Sequence, residues 1–263
     1  MSASGRRVWK NPQTILITGA TGGIGAALAR RYARPGRTLI LHGRDAGRLE
    51  TLARECEASS ARVISIIFDL RDAEEATRTL RQVSGENEID LAIVNAGVTH
   101  AIGDGEEVEN WDISRAVLAV NLDGAIVTIA ALLPNMRRRA AGQIAIMSSL
   151  SAYFGLPITP TYCASKAALK AYGEALRGWL APQGIAVSVV LSGFVQTSMA
   201  ERFPGKKPGA LTPAQAAVRI ERGLAANSAR ITYPLALAWG AWWLAVLPAA
   251  LSQRLVRAFG YGT

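Results

Sequence analysis

Apolar runs and helical patterns alternate along most of the chain. Short aliphatic runs bounded by turn formers predict buried strands at residues 14–17, 37–41, 62–68, 89–94, 143–147 and 185–191. Helical periodicity predicts helices at residues 24–32, 46–58, 72–84, 111–139, 162–180 and 213–226. Strands that alternate with helices form a parallel sheet whose two faces are both covered. We therefore predict the α/β class, with a doubly wound parallel sheet in a single domain.

The two ends of the chain lie outside this alternation. Residues 1–13 are polar and basic, without the apolar core of a signal peptide, and are predicted to be a disordered leader. Residues 14–231 form the predicted domain, since no linker-like stretch divides them. Residues 232–263 are a hydrophobic C-terminal segment that we expect to pack on the domain or at an interface.

The core of that segment, residues 235–247, consists of aliphatic residues, Ala, Gly and three tryptophans between Pro234 and Pro248. The tryptophans are Trp239, Trp242 and Trp243. The run is too short for a spanning helix, which needs about 20 apolar residues. It either covers a hydrophobic cleft and a subunit interface, which is the favoured interpretation, or enters a membrane surface beside Arg254 and Arg257.

Composition narrows the function classes. Half of the residues are hydrophobic, enough for a sizeable core, and two cysteines are too few for a disulfide framework, so a reducing cytoplasm is the expected location. The net charge of +9 suits nucleic acid, anionic lipid or a phosphorylated cofactor. Because the arginines are mostly scattered and no zinc-ligand spacing occurs, we predict no nucleic-acid partner and no metal site.

A glycine-rich segment, residues 18–25, joins the first strand to the first helix. Backbone N–H groups and the positive end of a helix dipole make such a turn an anion site, and glycines let a pyrophosphate approach closely. The predicted dinucleotide-binding residues of this segment are Gly19, Thr21, Gly22, Gly23, Ile24 and Gly25.

The end of the second strand bears on the choice of cofactor. In NAD-preferring sites an acidic residue there binds the ribose 2′-hydroxyl, but this chain has Gly43 followed by Arg44. A guanidinium suits a 2′-phosphate, which it can grip with paired hydrogen bonds. We therefore predict that NADP(H) is favoured over NAD(H), the alternative being that Arg44 is a solvated residue before the next helix.

Tyr162 and Lys166 stand four residues apart at the start of a predicted helix, on the same face. A neighbouring ammonium favours the phenolate, and a tyrosine with a lowered pKa can exchange a proton with an alcohol near neutral pH. Taken alone, this pair also fits an ordinary amphipathic helix.

The order of further polar residues makes the pair specific. Between the glycine segment and Tyr162 come the tripeptide Asn95-Ala96-Gly97, then Asn121, then Ser149 thirteen positions before Tyr162. In this order and spacing, residues 14 to about 200 resemble the short-chain dehydrogenase/reductase family in its compact single-domain form. The resemblance implies a Rossmann fold.

The resemblance implies an NADP-dependent oxidoreductase that interconverts a carbonyl and a secondary alcohol by hydride transfer. Its catalytic residues would be Asn121, Ser149, Tyr162 and Lys166. Tyr162 would be the acid/base, Ser149 would hydrogen-bond the substrate oxygen, and Lys166 would lower the pKa of Tyr162 and hold the nicotinamide ribose. Asn121 would hold a water near Lys166. The alternatives are a non-catalytic NADP-binding sensor and a membrane-surface reductase of a lipid-like substrate.

The resemblance also implies further cofactor contacts. Asp69 and Leu70 would lie at the adenine, with a helix-capping role for Asp69 or Asp72 as the alternative. The other implied contacts are Asn95, Ala96 and Gly97 at the ribose and Gly193, Val195 and Thr197 at the nicotinamide amide. Ser192 replaces the proline usual in the family, which puts the rigidity of this loop in question.

The expected partners follow from the helical pattern and from the resemblance to the family. Residues 116–133 are apolar nearly all round, so both sides of this helix need cover. Because the family pairs subunits through this helix and the one carrying Tyr162, we expect a homodimer or homotetramer. The expected substrate is a small carbonyl or alcohol, including hydrophobic ones, covered by a mobile loop at residues 198–212. Peripheral membrane contact through residues 235–247 is the minority expectation.

Overall fold

The computed structural model describes residues 8–102, 109–203 and 206–259. Its strands are β1 (Thr14–Ile17), β2 (Thr38–Gly43), β3 (Arg62–Ile67), β4 (Leu91–Val94), β5 (Gly142–Ser149), β6 (Ile185–Ser192) and β7 (Arg230–Tyr233). Its helices are α1 (Gly23–Tyr32), α2 (Ala46–Glu57), α3 (Ala73–Glu86), α4 (Trp111–Leu118), α5 (Gly124–Arg139), α6 (Pro160–Leu180), α7 (Ser198–Glu201), α8 (Pro213–Ala225), α9 (Leu235–Val246) and α10 (Ala249–Ala258).

One parallel sheet organises these elements, in the order β3-β2-β1-β4-β5-β6-β7. The strand order reverses between β1 and β4, and at such a point the carboxyl ends of the strands open a crevice for a ligand. The predicted α/β fold with a doubly wound parallel sheet is confirmed. β7 was not predicted, because it is a four-residue edge strand that starts with the exposed Arg230 and has no continuous apolar run.

The core lies in two layers, one on each face of the sheet. Ile15 and Ile17 of β1 face the layer formed with α1, α2 and α8, whereas Leu16 faces the layer formed with α3, α5 and α6. All three side chains are fully buried. Alternation of side chains across both covered faces explains why the predicted strands are continuous apolar runs.

The long helical run predicted at residues 111–139 is divided. α4 leads into a π-helical turn, Ala119–Asp123, in which the N–H of Gly124 donates to the carbonyl of Ala119, and α5 follows. This run is long and apolar enough to cross a membrane by length and composition, and 56% of its most apolar window is buried inside the protein. The π-turn carries Asn121 into the interior.

The two ends of the chain differ in how they meet the domain. Of the predicted leader, residues 1–7 lie outside the described residues, whereas the N–H of Gln13 donates to the carboxylate of Asp90 at 2.7 Å. Arg37 Nη2 donates to Asn11 Oδ1 at 3.1 Å, which also ties this short stretch to the sheet. At the other end α9 contacts the domain through Ala238 and Leu237, and α10 then packs on α9.

The segment between β6 and α8 contains a short helix. The sequence predicts a mobile loop at residues 198–212. This span includes α7, and its residues 204–205 lie outside the described residues. The backbone N–H of Gln196 donates to Leu211 O at 2.9 Å, and that of Leu211 donates to Phe194 O at 3.1 Å. The base of the segment is therefore closed by backbone hydrogen bonds.

Candidate active site

The carboxyl ends of the central strands open into a cavity of about 350 Å³. Fourteen of the predicted site residues line it: Gly19, Thr21, Gly22, Gly23, Ile24, Arg44, Asp69, Leu70, Asn95, Ala96, Gly97, Tyr162, Lys166 and Thr197. Five are not among the lining residues: Gly25, Asn121, Ser149, Gly193 and Val195. The sequence prediction thus converges on one cleft, although not every residue faces it.

The glycine segment is tightly packed against the end of β4. Gly19 has φ +63°, and a Cβ on it would lie 2.7 Å from the Cα of Ala96, so only glycine fits. A Cβ on Gly25 would lie 2.3 Å from Gly19 O, which makes Gly25 a packing residue beneath the turn. Asn95 Nδ2 donates to the carbonyls of Thr18 and Gly19, at 3.0 Å each. Asn95 therefore holds the turn in shape from below.

His42 supports the same turn from the side, a role that no feature of the sequence pattern indicated. The N–H of Gly19 donates to His42 Nδ1 at 3.3 Å, and His42 Nε2 is hydrogen-bonded to Phe68 O at 3.1 Å. Burial lowers the pKa of His42 to about 4, so the ring is neutral and can accept at Nδ1 while it donates at Nε2.

The N-terminus of α1 faces the cavity without a side-chain cap. Gly22 occupies the cap position and supplies no side-chain acceptor, so the first N–H groups of α1 are left to a ligand. A Cβ on Gly23 would lie 2.3 Å from Cγ2 of Thr197, which shows how closely the segment after β6 approaches. These crowded glycines and the uncapped helix end fit the pyrophosphate of a dinucleotide.

Two guanidinium groups flank Gly43 at the adenosine end of the cavity. Arg44 is more than half exposed, and its Nη1 lies 3.5 Å from Asp69 Oδ2. Arg48, which the sequence analysis did not single out, lines the cavity and donates through Nη2 to Thr21 O at 2.8 Å. In the sequence, this role is indicated only by the position of Arg48 four residues after Arg44. Together the two groups fit a phosphate on the ribose.

Asp69 is a paired carboxylate beside this site. Hydrogen bonds from the Arg71 side chain, at 2.7 and 3.0 Å, lower the pKa of Asp69 to about 2. The side chain of Asp72, not that of Asp69, caps α3 by accepting from the N–H of Glu75 at 2.9 Å. Of the two residues offered for the capping role, Asp72 is therefore the cap, and the contact of Asp69 with the adenine stays a prediction.

Lys166 is buried at the end of β5. Its Nζ donates to Met147 O at 2.9 Å and lies 5.7 Å from the centre of the Tyr162 ring. Ser148 Oγ donates back to Lys166 O at 2.7 Å, so β5 and α6 are joined by reciprocal bonds. The Ser148 hydroxyl is used in this way, whereas Ser149 is hydrogen-bonded to Tyr162, and the catalytic role of Ser149 stays a prediction.

Burial governs the protonation of the tyrosine–lysine pair. It raises the pKa of Tyr162 to about 12, although a hydrogen bond between the Ser149 and Tyr162 hydroxyls acts in the opposite direction. It lowers the pKa of Lys166 to about 8. The expectation that Lys166 lowers the pKa of Tyr162 is therefore wrong here, because burial raises this pKa and the group that acts against burial is Ser149. Tyr162 is a neutral phenol at neutral pH and can donate a proton.

Asn121 lies fully buried in the π-turn rather than on the cavity wall. Its Oδ1 accepts from the N–H of Val98 at 2.7 Å, and its Nδ2 donates to Val98 O at 2.9 Å and to Ser165 Oγ at 3.1 Å. A Cβ on Gly97 would lie 3.3 Å from Asn121 Oδ1 and 3.5 Å from Lys166 Nζ, so both groups meet at Gly97. The predicted water between them stays a prediction.

The loop after β6 is anchored to the sheet. Ser192, where the family pattern has proline, belongs to β6 and donates through Oγ to Ser148 O at 3.3 Å. The N–H of Gly193 donates to Tyr233 O at 2.7 Å, and Val195 is buried and bridged to Leu211. These bonds hold the loop without proline. Contacts of Gly193 and Val195 with a nicotinamide amide stay a prediction.

Comparison with known proteins identifies relatives of this arrangement. The chain matches the short chain dehydrogenase family over residues 13–207. It is 30% identical to an oxidoreductase of Myxococcus xanthus over 246 residues, 93% of this chain and 96% of that protein. A short-chain dehydrogenase from Sphingobium yanoikuyae in complex with NADPH superposes with a TM-score of 0.77 at 26% identity, over 93% of this chain and 95% of that one.

A third relative carries a substrate description. The bulky-bulky ketone specific alcohol dehydrogenase from Comamonas testosteroni superposes with a TM-score of 0.75 at 26% identity. The similarity covers 88% of this chain and 90% of that one.

The buried ammonium gives a prediction about stability. Because the pKa of Lys166 falls from 10.5 to about 8 on folding, the folded state binds fewer protons between these values, and the free energy of unfolding rises with pH there. Lys166→Met should stabilise the protein at neutral pH by up to about 3 kcal/mol, and the gain should shrink as the pH rises above about 8. Chemical denaturation across this pH range measures both effects.

Lys170→Met is the matched control. Lys170 lies one turn further along α6 and is ion-paired with Glu174 at 3.1 Å, so its replacement should not stabilise the protein. Equal stability of Lys166→Met and the wild type at neutral pH would show that the ammonium is not desolvated.

Proposed function

The chain belongs to the short-chain dehydrogenase/reductase family, and from this membership we propose an NADP-dependent enzyme that interconverts a carbonyl and a secondary alcohol, with Tyr162 as the acid/base. It is an oxidoreductase, as its relatives are. The observation that carries the proposal is the meeting of Tyr162 and Lys166 with the glycine segment in one cavity. A non-catalytic sensor would have no need of a lysine buried beside a tyrosine.

In the reduction direction the neutral phenol of Tyr162 donates its proton to the substrate oxygen. A bound nicotinamide cofactor supplies the hydride. The Ser149 hydroxyl, hydrogen-bonded to Tyr162, donates to the same oxygen as negative charge builds on it. This bond strengthens toward the transition state, so it raises the rate rather than the affinity.

Lys166 is suited to replace the proton that Tyr162 gives up. Its pKa of about 8 leaves it charged at neutral pH yet able to release a proton without a large penalty. Asn121 approaches the same point beside Gly97, where a water would link the lysine to the solvent. Lys166 would also hold the nicotinamide ribose.

The preference for NADP(H) over NAD(H) rests on Arg44 and Arg48. Both line the cavity beside Gly43, and the carboxylate nearest to them, Asp69, is already paired with Arg71. A ribose 2′-phosphate would thus meet two guanidinium groups, and Arg44 would exchange its 3.5 Å contact with Asp69 for the phosphate. The Sphingobium yanoikuyae relative is an NADPH complex, which supports the same assignment.

The substrate we propose is a bulky hydrophobic carbonyl compound or the corresponding alcohol. Leu150 follows Ser149 directly in the sequence, and Met199 lines the cavity. Phe194 and Phe203 pack their rings at 5.1 Å on the segment that follows β6. The substrate description of the Comamonas testosteroni relative agrees with this class.

A homodimer or homotetramer in the cytoplasm stays the expected assembly and location. Trp111, Ile113 and Ile126 are large apolar side chains that remain exposed on α4 and α5. A second copy would bury them, as the comparison with the family implies.

The acid/base role predicts a large loss of rate. Tyr162→Phe removes the proton donor and keeps the ring, so kcat for the NADPH-dependent reduction of a hydrophobic ketone should fall roughly a hundred- to ten-thousand-fold. NADPH binding, followed by fluorescence, should be retained. Tyr172→Phe on the same helix is the control and should keep kcat. Near-wild-type kcat in Tyr162→Phe would remove this residue from the mechanism.

The cofactor preference predicts a selective loss of affinity. A charge-assisted hydrogen bond contributes about 1.5–3 kcal/mol, so Arg44→Ala or Arg48→Ala should weaken NADPH roughly ten- to a hundredfold while NADH changes little. Titration of each variant with both cofactors tests this. Arg54→Ala, on the exposed side of α2 and ion-paired with Glu50, is the control. Equal losses for both cofactors, or a wild type that prefers NADH, would contradict the assignment.

A further inference from the structure

An apolar stripe runs along one side of α9. It consists of Leu235, Trp239, Trp242, Trp243 and Val246. Their spacing places them within an arc of about 100° on the helix surface. Each is between 41% and 64% exposed. Contiguous exposed apolar side chains of this size mark an interaction surface.

The described part of the chain leaves this stripe uncovered. α9 meets the domain with another side, where Ala238 packs with Leu150 and Leu191. α10 packs on a further side, since Ser252 Oγ donates to Leu244 O at 2.7 Å. Both contacts lie away from the stripe, because Ala238 and Leu244 occupy other angles of the helix.

The tryptophans make contacts with one another. The rings of Trp239 and Trp242 are 6.0 Å apart and those of Trp242 and Trp243 are 5.1 Å apart, both in edge-to-face geometry. Clustered indoles favour the headgroup boundary of a membrane, where an apolar ring and a polar N–H are both accommodated. With a rise of about 1.5 Å per residue, a helix of this length is far too short to cross about 30 Å of hydrocarbon. It would lie in the plane of the surface.

The part of the sequence that contains the stripe is rich in basic residues, of which Arg230 is ion-paired with Glu174 at 2.6 Å. From residue 202 to residue 259 the one acidic residue in the sequence is Glu221. The basic residues of this stretch are Arg202, Lys206, Lys207, Arg219, Arg222, Arg230, Arg254 and Arg257. Arg254 and Arg257 are exposed on α10. The loop after Lys207 touches the start of α9, because a Cβ on Gly209 would lie 3.0 Å from the ring of Pro234.

We propose that α9 and α10 dock this protein on an anionic lipid surface, with the tryptophans at the headgroup boundary and Arg254 and Arg257 at lipid phosphates. A second copy of the chain is the competing occupant. A stable dimer buries about 800 Å² on each partner. The three indoles alone, at about 150–250 Å² each and roughly half exposed, supply about half of that area or less. The excess of positive charge also complements lipid rather than a second copy of the same surface.

Docking would bring the cleft close to the lipid. The inner side of α9 contacts Leu150, directly after Ser149, so the substrate side of the cavity adjoins the docking element. If the proposed function holds, a hydrophobic carbonyl compound could then pass from the membrane to Tyr162. Docking on the membrane does not depend on the proposed function, and vesicle binding tests it without a measurement of enzymatic activity.

The test is flotation of the full chain with vesicles of phosphatidylglycerol and phosphatidylcholine, followed together with tryptophan fluorescence. The wild type should float and its emission should shift to the blue, whereas vesicles of phosphatidylcholine alone should bind much less. Trp239→Ser and Trp243→Ser should each weaken binding roughly thirty- to a hundredfold, from the loss of roughly half an indole surface. Trp179→Ser, on the exposed end of α6, is the matched control and should float like the wild type.

The charge contribution is tested separately. Arg254→Gln and Arg257→Gln should each weaken binding about fivefold, and added salt should weaken the wild type in the same way. These exposed residues make no contact that folding requires in the described structure, so both variants should keep the wild-type melting temperature. A wild type that does not float, or tryptophan variants that float equally well, would overturn the proposal. A third outcome would also overturn it: the wild type does not bind the vesicles and the tryptophan variants change the oligomeric mass. That result would assign the stripe to contact with a second copy of the chain.

Discussion

The buried ammonium of Lys166 is the interaction on which the site depends. It ties α6 to the end of β5 through Met147 O, and the Ser148 hydroxyl returns a bond to the same lysine. This double attachment places Tyr162, one turn earlier on α6, beside Ser149. Burying the charge lowers the pKa of Lys166 and opposes folding, and in the proposed mechanism this loss of stability supports proton transfer to Tyr162.

Much of this architecture follows from local patterns. Because the strands are covered on both faces, they are continuous apolar runs such as residues 14–17, and their alternation with helices predicts the parallel sheet. The glycine segment was predictable because Gly19 adopts a left-handed conformation against Ala96, which no side chain would permit. The meeting of Tyr162 and Lys166 followed from a spacing of one helical turn.

Other features depend on contacts that no single pattern encodes. The pKa of Tyr162 is raised by burial, which the four-residue spacing of Tyr162 and Lys166 does not encode. Arg48 reaches Thr21 only once α2 has folded against the glycine turn, and His42 becomes a support of Gly19 in the same way. The pattern of residues 111–139 is that of one continuous helix, so the sequence did not indicate the π-turn that buries Asn121. Tertiary packing decides each of these.

The central claim is that this cavity performs hydride transfer together with a proton from Tyr162, rather than binding a cofactor alone. The most direct test is incubation with NADPH that carries deuterium at the transferable position and with a panel of bulky hydrophobic ketones, followed by mass spectrometry and NMR of the products. We predict an alcohol with deuterium on its carbinol carbon and a matching loss of NADPH. Tight binding of NADPH with neither cofactor oxidation nor deuterium in any product would contradict the account.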